Sequence, residues 1–181
     1  MEETAKKRKP KKNKGKPFED AVKKSFLRVD GVSIDRLKDA SITRRNNGEL
    51  KKLKGADNPS DFIVYKYPHE IYVECKSHKG NTLPFSCIRE EQIYGMFEKA
   101  KIYGVKAGVI VWYIDHDMTA WFPIDHIVKL KEEGVKSIHY SECLADEAIL
   151  IKGKKKRVYF DYDMDKFLED LYEQVGTDSI K

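Results

Sequence analysis

Two short apolar runs separated by a proline constrain the fold of this chain more than any other feature. Residues 62–65 read Phe-Ile-Val-Tyr and residues 71–75 read Ile-Tyr-Val-Glu-Cys, with a turn at Pro68 between them. Because β-branched and aromatic side chains favour extended backbone, the two runs predict neighbouring strands. Residues 58–79 are therefore expected to contain a β-hairpin.

The predicted hairpin brings charged residues together at one of its ends. Asp61 precedes the first run, and Glu74 and Lys76 lie at the end of the second. Side chains two residues apart on a strand share a face, so Glu74 and Lys76 point the same way while Cys75 points to the other side. The hairpin therefore predicts a small pocket with two carboxylates and one ammonium group.

This group of charges points to metal-assisted chemistry on a phosphate. Neighbouring carboxylates repel each other unless a cation or a proton lies between them, and carboxylate oxygens suit Mg²⁺. A lysine beside the ion can orient or help deprotonate an attacking water, which favours phosphodiester hydrolysis. The alternative is a solvated strand face, because a D-x12-E-x-K string arises easily by chance when 36% of residues are charged.

Length and composition set outer limits on the class of protein. With 181 residues and 40% hydrophobic content, the chain is expected to form one globular domain with its own core. No apolar run of about 18 residues is present, so no membrane span is predicted, and the basic N-terminus lacks the apolar segment of a secretory signal. The three cysteines are widely spaced without a C-x-x-C pair, which argues against disulfides and zinc and fits a reducing cytoplasm.

Positive charge is concentrated in two segments. Residues 1–16 contain eight Lys or Arg against two Glu, which predicts a disordered basic tail before a folded domain over residues 17–181. A second basic segment lies directly before Asp61 and is expected either to contact nucleic-acid phosphates or to be a solvated loop. Its cationic residues are Arg36, Lys38, Arg44, Arg45, Lys51, Lys52 and Lys54.

Apolar periodicity predicts the remaining elements. Helices are expected over residues 17–29, 89–103 and 124–133, and a last helix capped by Asp163. Strands are expected over residues 105–114 and 118–122, which form a second hairpin, and over 148–152 and 157–162, which form a third possible hairpin. A short or irregular strand is expected within 32–46, whereas 46–58 reads as a loop. The order predicts an α/β (α+β) fold in which helices flank one mixed sheet.

Glu19 is a further candidate for the acidic pocket. It follows Phe18 at the edge of the apolar stripe of the first predicted helix, from which it can point into a neighbouring cleft. The alternative is an ordinary glutamate in the first turn, where it is favoured by the helix dipole.

The combined motifs resemble a known group of nucleases. Pro59-Ser60-Asp61 followed by Glu74-Cys75-Lys76, with Glu19 on a preceding helix, resembles the PD-(D/E)xK nuclease superfamily. The wider pattern is similar to the RecU family of Holliday junction resolvases, in a phage-type form. It comprises Gly15-Lys-Pro-Phe-Glu19, the basic segment, Pro84-Phe, Gln92-Ile, the apolar strand before Trp112, and Lys136-Ser-Ile-His.

This resemblance implies a restriction-endonuclease-like core and a homodimer that cuts paired strands of a four-way DNA junction with Mg²⁺ or Mn²⁺. A phage-encoded member would act in the cytoplasm of its bacterial host. The resemblance implies Asp61 and Glu74 as metal ligands, with Glu19 completing the cluster directly or through water. It also implies the peptide carbonyl of Cys75 as a further ligand, and it implies that Lys76 acts on the attacking water.

The resemblance also implies contacts with DNA. Gln92 would orient Lys76 or the phosphate, and Thr43 and Arg44 would lie near the scissile phosphate. Family members carry a longer stalk that enters the junction centre, whereas only residues 46–58 are available for it here. Two alternatives stay open: an inactive DNA-binding accessory module of recombination, and a restriction or repair nuclease of the same superfamily that acts on other DNA structures.

Overall fold

A mixed β-sheet lies at the centre of the structure, a computed structural model. The structure describes residues 15–37, 42–46, 49–53, 58–157 and 159–178, with backbone only for 42–46, 49–53 and 174–178. The strands in this part of the chain are β1 (Ser33–Arg36), β2 (Ile42–Asn46), β3 (Glu49–Leu53), β4 (Phe62–Lys66), β5 (His69–His78), β6 (Thr82–Pro84), β7 (Val105–Tyr113), β8 (Met118–Pro123), β9 (Ser137–His139), β10 (Ile149–Leu150), β11 (Gly153–Lys155) and β12 (Phe160–Tyr162). The helices are α1 (Gly15–Phe26), α2 (Glu90–Ala100), α3 (Ile124–Glu132) and α4 (Met164–Asp178).

The central sheet has the strand order β1-β4-β5-β7-β8-β10. Strands β5 and β7 pair in parallel, and the other neighbours in this sheet pair antiparallel. A parallel pair needs a long crossover, and α2 supplies it between β5 and β7. The predicted mixed sheet flanked by helices is confirmed.

Strand β7 is buried from Ala107 to Tyr113, as its nearly continuous apolar sequence predicts for a central strand. Gly108 is required in it, because a Cβ atom there would lie 2.6 Å from the Trp121 ring and would also clash with the Phe122 carbonyl on β8. The glycine therefore lets β7 and β8 pair closely.

Each face of the sheet carries one hydrophobic layer. Helices α1 and α4 cover one face, where Phe18, Val22, Phe26, Phe167 and Leu168 pack with Cys75, Ile110 and Trp112. Helices α2 and α3 cover the other, where Ile93, Met96, Ile124 and Ile127 pack with Tyr72, Val109 and Val111. The two faces of β5 thus look into different layers.

The hairpin predicted over residues 58–79 is confirmed. It is formed by β4 and β5, and its register pairs Phe62 with Val73. Asp61 and Glu74 are the next residues outward from that pair, so the register brings them to the same end of the hairpin.

Two predictions of local structure were wrong. Residues 46–58 were expected to be a loop, but Asn46 and residues 49–53, which the structure describes, belong to β2 and β3, and these two strands pair antiparallel. Residues 148–152 and 157–162 were expected to pair with each other. Instead β10 pairs with β8 in the main sheet, and β11 pairs with β12, because the chain turns away from the sheet after Ile151.

Helix boundaries differ by a few residues from the predictions. Helix α1 begins at Gly15, two residues before the predicted start of the domain, and it ends at Phe26. The predicted cap of α4 is present, since Asp163 Oδ1 accepts a 3.1 Å hydrogen bond from the N–H of Lys166. Residues 1–14 lie outside the described part, so the basic tail stays a prediction. Among the described helices, none has the length and apolarity needed to span a bilayer.

Candidate active site

Asp61 lies where strand β4 begins and is bonded to both neighbouring strands. Its Oδ2 atom accepts a 2.8 Å hydrogen bond from the backbone N–H of Cys75 on β5. Its carbonyl oxygen accepts a 2.9 Å bond from the N–H of Leu37, the residue after β1. The carboxylate is therefore fixed at one end of the sheet, where β1, β4 and β5 meet.

Glu74 is a buried carboxylate with a hydrogen-bond donor on each oxygen. Its side chain is 1% exposed. Lys76 Nζ donates to Oε1 over 2.5 Å, and Gln92 Nε2 donates to Oε2 over 2.7 Å. Strand alternation sets Glu74 and Lys76 on one face of β5, and Gln92 reaches them from the first turn of α2. These donors on both sides fix the orientation of the carboxylate.

The electrostatic environment raises the pKa of Glu74 to about 7. Burial is the larger cause and the charge of Asp61 is the second, while Lys76 and Gln92 act in the opposite direction. The carboxyl group is consequently close to half protonated at neutral pH. A divalent cation beside Glu74 and Asp61 would offset their repulsion and favour the ionised form.

Glu19 belongs to the same acidic cluster. Its pKa is raised, first by burial and then by Asp61, while Arg36 lowers it. Arg36 forms two ion pairs, from Nη1 to Glu19 at 2.8 Å and from Nη2 to Asp20 at 2.7 Å, and its guanidinium lies 4.9 Å from the Phe62 ring centroid. Arg36 is therefore the internal counter-ion of Glu19.

Cys75 contributes its backbone to the site and its side chain to the core. The N–H points toward Asp61, and in a strand the C=O of the same residue projects to the same side. The thiol packs in the layer under α1, where burial first and the nearby carboxylates second raise its pKa well above the usual value. The thiol is therefore poorly suited to act as a nucleophile, and Cys75 faces the acidic cluster through its backbone.

The donor set fits a hard divalent cation. Within the described residues, no three His, Cys, Asp or Glu side chains are arranged to hold a metal ion among themselves. Mg²⁺, however, needs only one or two protein carboxylates and keeps several waters. Asp61 and Glu74 supply these two carboxylates, and they lie close enough for the charge of Asp61 to raise the pKa of Glu74.

The residues predicted to bind DNA fall into three groups. Thr43, Arg44 and Arg45 lie on β2, and Lys51 and Lys52 lie on β3, while Lys54 is outside the described residues. Arg36 points into the acidic cluster instead of toward solvent. Gln92 is 4% exposed and bonds to Glu74 and not to Lys76.

Sequence reasoning missed Asp20 and the contact of Arg36 with the acidic residues. Asp20 follows Glu19 directly, and the two carboxylates share one guanidinium. The adjacent acids on α1 were a signal for a basic partner. Because Arg36 lies 17 positions after Glu19, only the packing of α1 beside β1 identifies it as that partner.

Comparisons with solved structures give neighbours of this chain, whereas comparisons by sequence do not. No protein-family model matches the chain, and no curated protein matches it. Among solved structures, the chain is similar to Hjc of Archaeoglobus fulgidus, a Holliday junction resolvase from an archaeal hyperthermophile. The two share 16% sequence identity with a TM-score of 0.44, over 61% of this chain and 78% of that one.

Proposed function

We propose that this protein is a metal-dependent endonuclease that hydrolyses phosphodiester bonds in DNA. The observation that carries the proposal is the environment of Glu74, a carboxylate with 1% exposure held between Lys76 and Gln92 and beside Asp61. Removing a charge from water costs stability that pairing offsets only in part, and strongly perturbed carboxyl groups cluster at functional sites.

The residues of the pocket have separate roles in this proposal. Asp61, Glu74 and the Cys75 carbonyl would hold Mg²⁺ or Mn²⁺, with Glu19 contributing directly or through water. When bound, such an ion lowers the pKa of a water molecule and neutralises charge on the phosphate oxygens. Lys76 orients the attacking water and stabilises the charge that develops on the phosphate.

The preferred substrate in this proposal is a four-way DNA junction, cut by a homodimer. This finer assignment, to a RecU-like resolvase of phage type, is supported by the sequence resemblance. An isologous dimer suits the task, since it places two identical sites symmetrically on a junction. The β2–β3 hairpin lies in the chain between Arg36 and Asp61, and in this proposal its basic residues contact phosphates without reading bases.

One observation favours a second candidate, a repair or restriction nuclease that acts on other DNA. Strands β2 and β3 have five residues each, so the hairpin extends only about 17 Å. A short hairpin reaches less far into a junction centre than a long stalk does. An inactive DNA-binding module has no use for the buried pair of Glu74 and Lys76, so that alternative is disfavoured.

A substrate panel separates these possibilities. Labelled four-way junction, flap and linear duplex of equal length are incubated with the purified protein and Mg²⁺ at one salt concentration. The proposal predicts paired symmetric nicks in the junction and much slower cleavage of the duplex. Equal cleavage of all three substrates would favour the second candidate, and no cleavage of any of them would contradict a nuclease.

A further inference from the structure

A cleft of about 320 Å³ lies between α1 and the ribbon formed by β11 and β12. Lys24 and Arg28 border it on the α1 side, and Lys156 borders it on the ribbon side. The rings of Tyr159 and Phe160 form part of its wall. The cleft thus has aromatic rings in its wall and three exposed cations at its rim, and its lining also includes Asp20 and Asp161.

The ribbon beside this cleft is strongly basic. Five of the six residues from 152 to 157 are Lys or Arg, and all five are exposed. Lys156 pairs with Asp161 at 3.6 Å, and Lys155 pairs with Asp117. The members of the group that have no ion pair within the described residues are Lys152, Lys154 and Arg157. Like charges at this density repel each other, so an anionic partner would stabilise the ribbon.

The acidic residues at the cleft already have cationic partners. Asp161 is paired with Arg28 as well as with Lys156, and Asp20 is paired with Arg36. Their charges therefore do little to repel an incoming anion. In the described structure, Lys24 on the rim and Lys154, which is opposite Asp161 in the ribbon register, have no ion pair of their own.

The cleft lies next to the candidate active site on helix α1. Arg36 binds Glu19 through one nitrogen and Asp20 through the other, and Asp20 lines the cleft. Helix α1 rises 1.5 Å per residue, so Lys24 lies about 7.5 Å along the helix from Glu19. That distance is about two base-pair rises along the axis of a DNA duplex.

We propose that this cleft and the β11–β12 ribbon bind the sugar-phosphate backbone of the DNA strand that flanks the scissile phosphate. The inference rests on the proposed function, because it takes DNA as the partner. Lys24, Lys154 and Lys156 donate hydrogen bonds to phosphate oxygens, and Arg28 is held at the rim by Asp161. Such contacts position the strand without selecting its sequence.

The test compares two triple variants that lose the same charge. One carries Lys24→Gln, Lys154→Gln and Lys156→Gln. The control carries Lys99→Gln, Lys101→Gln and Lys129→Gln, on the α2 and α3 side of the sheet. Binding of a fluorescent four-way junction is measured by anisotropy without divalent ions, from about 50 mM to about 200 mM salt. Affinity falls as salt rises, and each lost phosphate contact makes the negative slope of log K against log salt less steep by about 0.9.

In the cleft variant the magnitude of this slope is expected to fall by roughly 2 to 3, and in the control by less than about 0.5. Equal slopes for the two variants, or a wild type that does not bind DNA, would overturn the inference. A wild type that binds with the expected charge dependence but does not cleave DNA with Mg²⁺ contradicts the proposed function and leaves the inference standing. If the wild type cleaves DNA but the cleft variant binds DNA like the control, the inference is overturned and the proposed function stands.

Discussion

Gln92 on helix α2 donates a 2.7 Å hydrogen bond to Glu74 on strand β5, and both side chains are almost fully buried. The amide oxygen of Gln92 has no hydrogen-bond partner within the described residues. A buried acceptor without a partner costs about 1–3 kcal/mol. Gln92 is therefore better explained as a positioning residue for Glu74 than as a contributor to stability.

Replacing Gln92 with Met is expected to weaken Mg²⁺ binding by roughly 10- to 100-fold, because groups that orient a metal ligand typically have effects of this size. The measurement is the Mg²⁺ dissociation constant, obtained by fitting the rise in melting temperature against Mg²⁺ concentration. The exposed neighbour Glu91→Gln is the matched control. An unchanged dissociation constant for Gln92→Met would show that the hydrogen bond to Glu74 has no such role.

Replacing Lys76 with Met is expected to reduce the cleavage rate constant by at least about 100-fold, because the variant loses the cation beside the attacking water. DNA affinity should change by less than about threefold, since Lys76 is one cation among many. Single-turnover cleavage and anisotropy measure the two quantities. Lys79→Met, which changes an exposed lysine three residues further on, serves as control, and an equal loss of rate in both variants would contradict the role of Lys76.

Glu74 is expected to make the metal-free protein less stable as the pH rises. Its pKa is about 7 in the folded chain against 4.5 ordinarily, so the folded state binds the extra proton between these values, and unfolding free energy falls with rising pH. Relative to wild type, Glu74→Gln should gain about 2 kcal/mol between pH 5 and pH 8 by urea denaturation. A constant difference between the two proteins at both pH values would rule out the raised pKa.

Mg²⁺ binding should release protons near pH 6, since the metal binds the ionised carboxylate. Calorimetric titrations in two buffers of different ionisation enthalpy measure the number released. Close to one proton per metal ion is expected at pH 6 and almost none at pH 8. Proton release that does not change with pH would be inconsistent with Glu74 as a ligand.

Arg36→Gln should destabilise the metal-free protein, because Glu19 and Asp20 then lack their shared counter-ion. A loss on the order of 1–2 kcal/mol is expected, typical of a broken, partly buried charge network. The rise in melting temperature on adding Mg²⁺ should be larger than in wild type, because the metal then compensates more repulsion. Arg28→Gln, at an ion pair further from the acidic cluster, should leave this rise unchanged.

Gly108→Ala tests the packing of β7 against β8. The added methyl group would lie 2.6 Å from the Trp121 ring, so overpacking of about 2–3 kcal/mol is expected. Gly95→Ala is the control, because its methyl group would lie at an ordinary contact distance of 3.4 Å from Pro59. Gly95 is in helix α2, where Ala is favoured over Gly. Chemical denaturation of both variants gives the comparison, and similar stabilities would contradict the close approach of the two strands.

The sequence predicted the sheet and the central hairpin because their signals are local. Alternating and continuous apolar runs identify β4, β5 and β7, and the two-residue period puts Glu74 and Lys76 on one face. The pairing of β2 with β3 was missed although Asn47-Gly48, a dipeptide typical of hairpin turns, lies between them in the sequence, since the flanking residues are largely charged and do not read as strands.

The parts of the site that the sequence did not predict depend on packing between distant elements. Which group Gln92 would bond to depends on how α2 lies across β5. The ion pairs of Arg36 require α1 and β1 to be neighbours, and neither segment carries a pattern that specifies this contact. The β11–β12 ribbon was misplaced because β10 is too short for its pairing with β8 to be read from apolar residues.

The most direct test is a cleavage assay of wild type against Asp61→Asn on a labelled four-way junction with Mg²⁺. The substitution keeps an acceptor for the Cys75 N–H but removes one of the two carboxylates. Wild type should give paired nicks, whereas Asp61→Asn should bind the junction with similar affinity and cleave it at least about 1,000-fold more slowly. Equal cleavage by both proteins, or none by wild type, would contradict a metal-dependent nuclease site at Asp61 and Glu74.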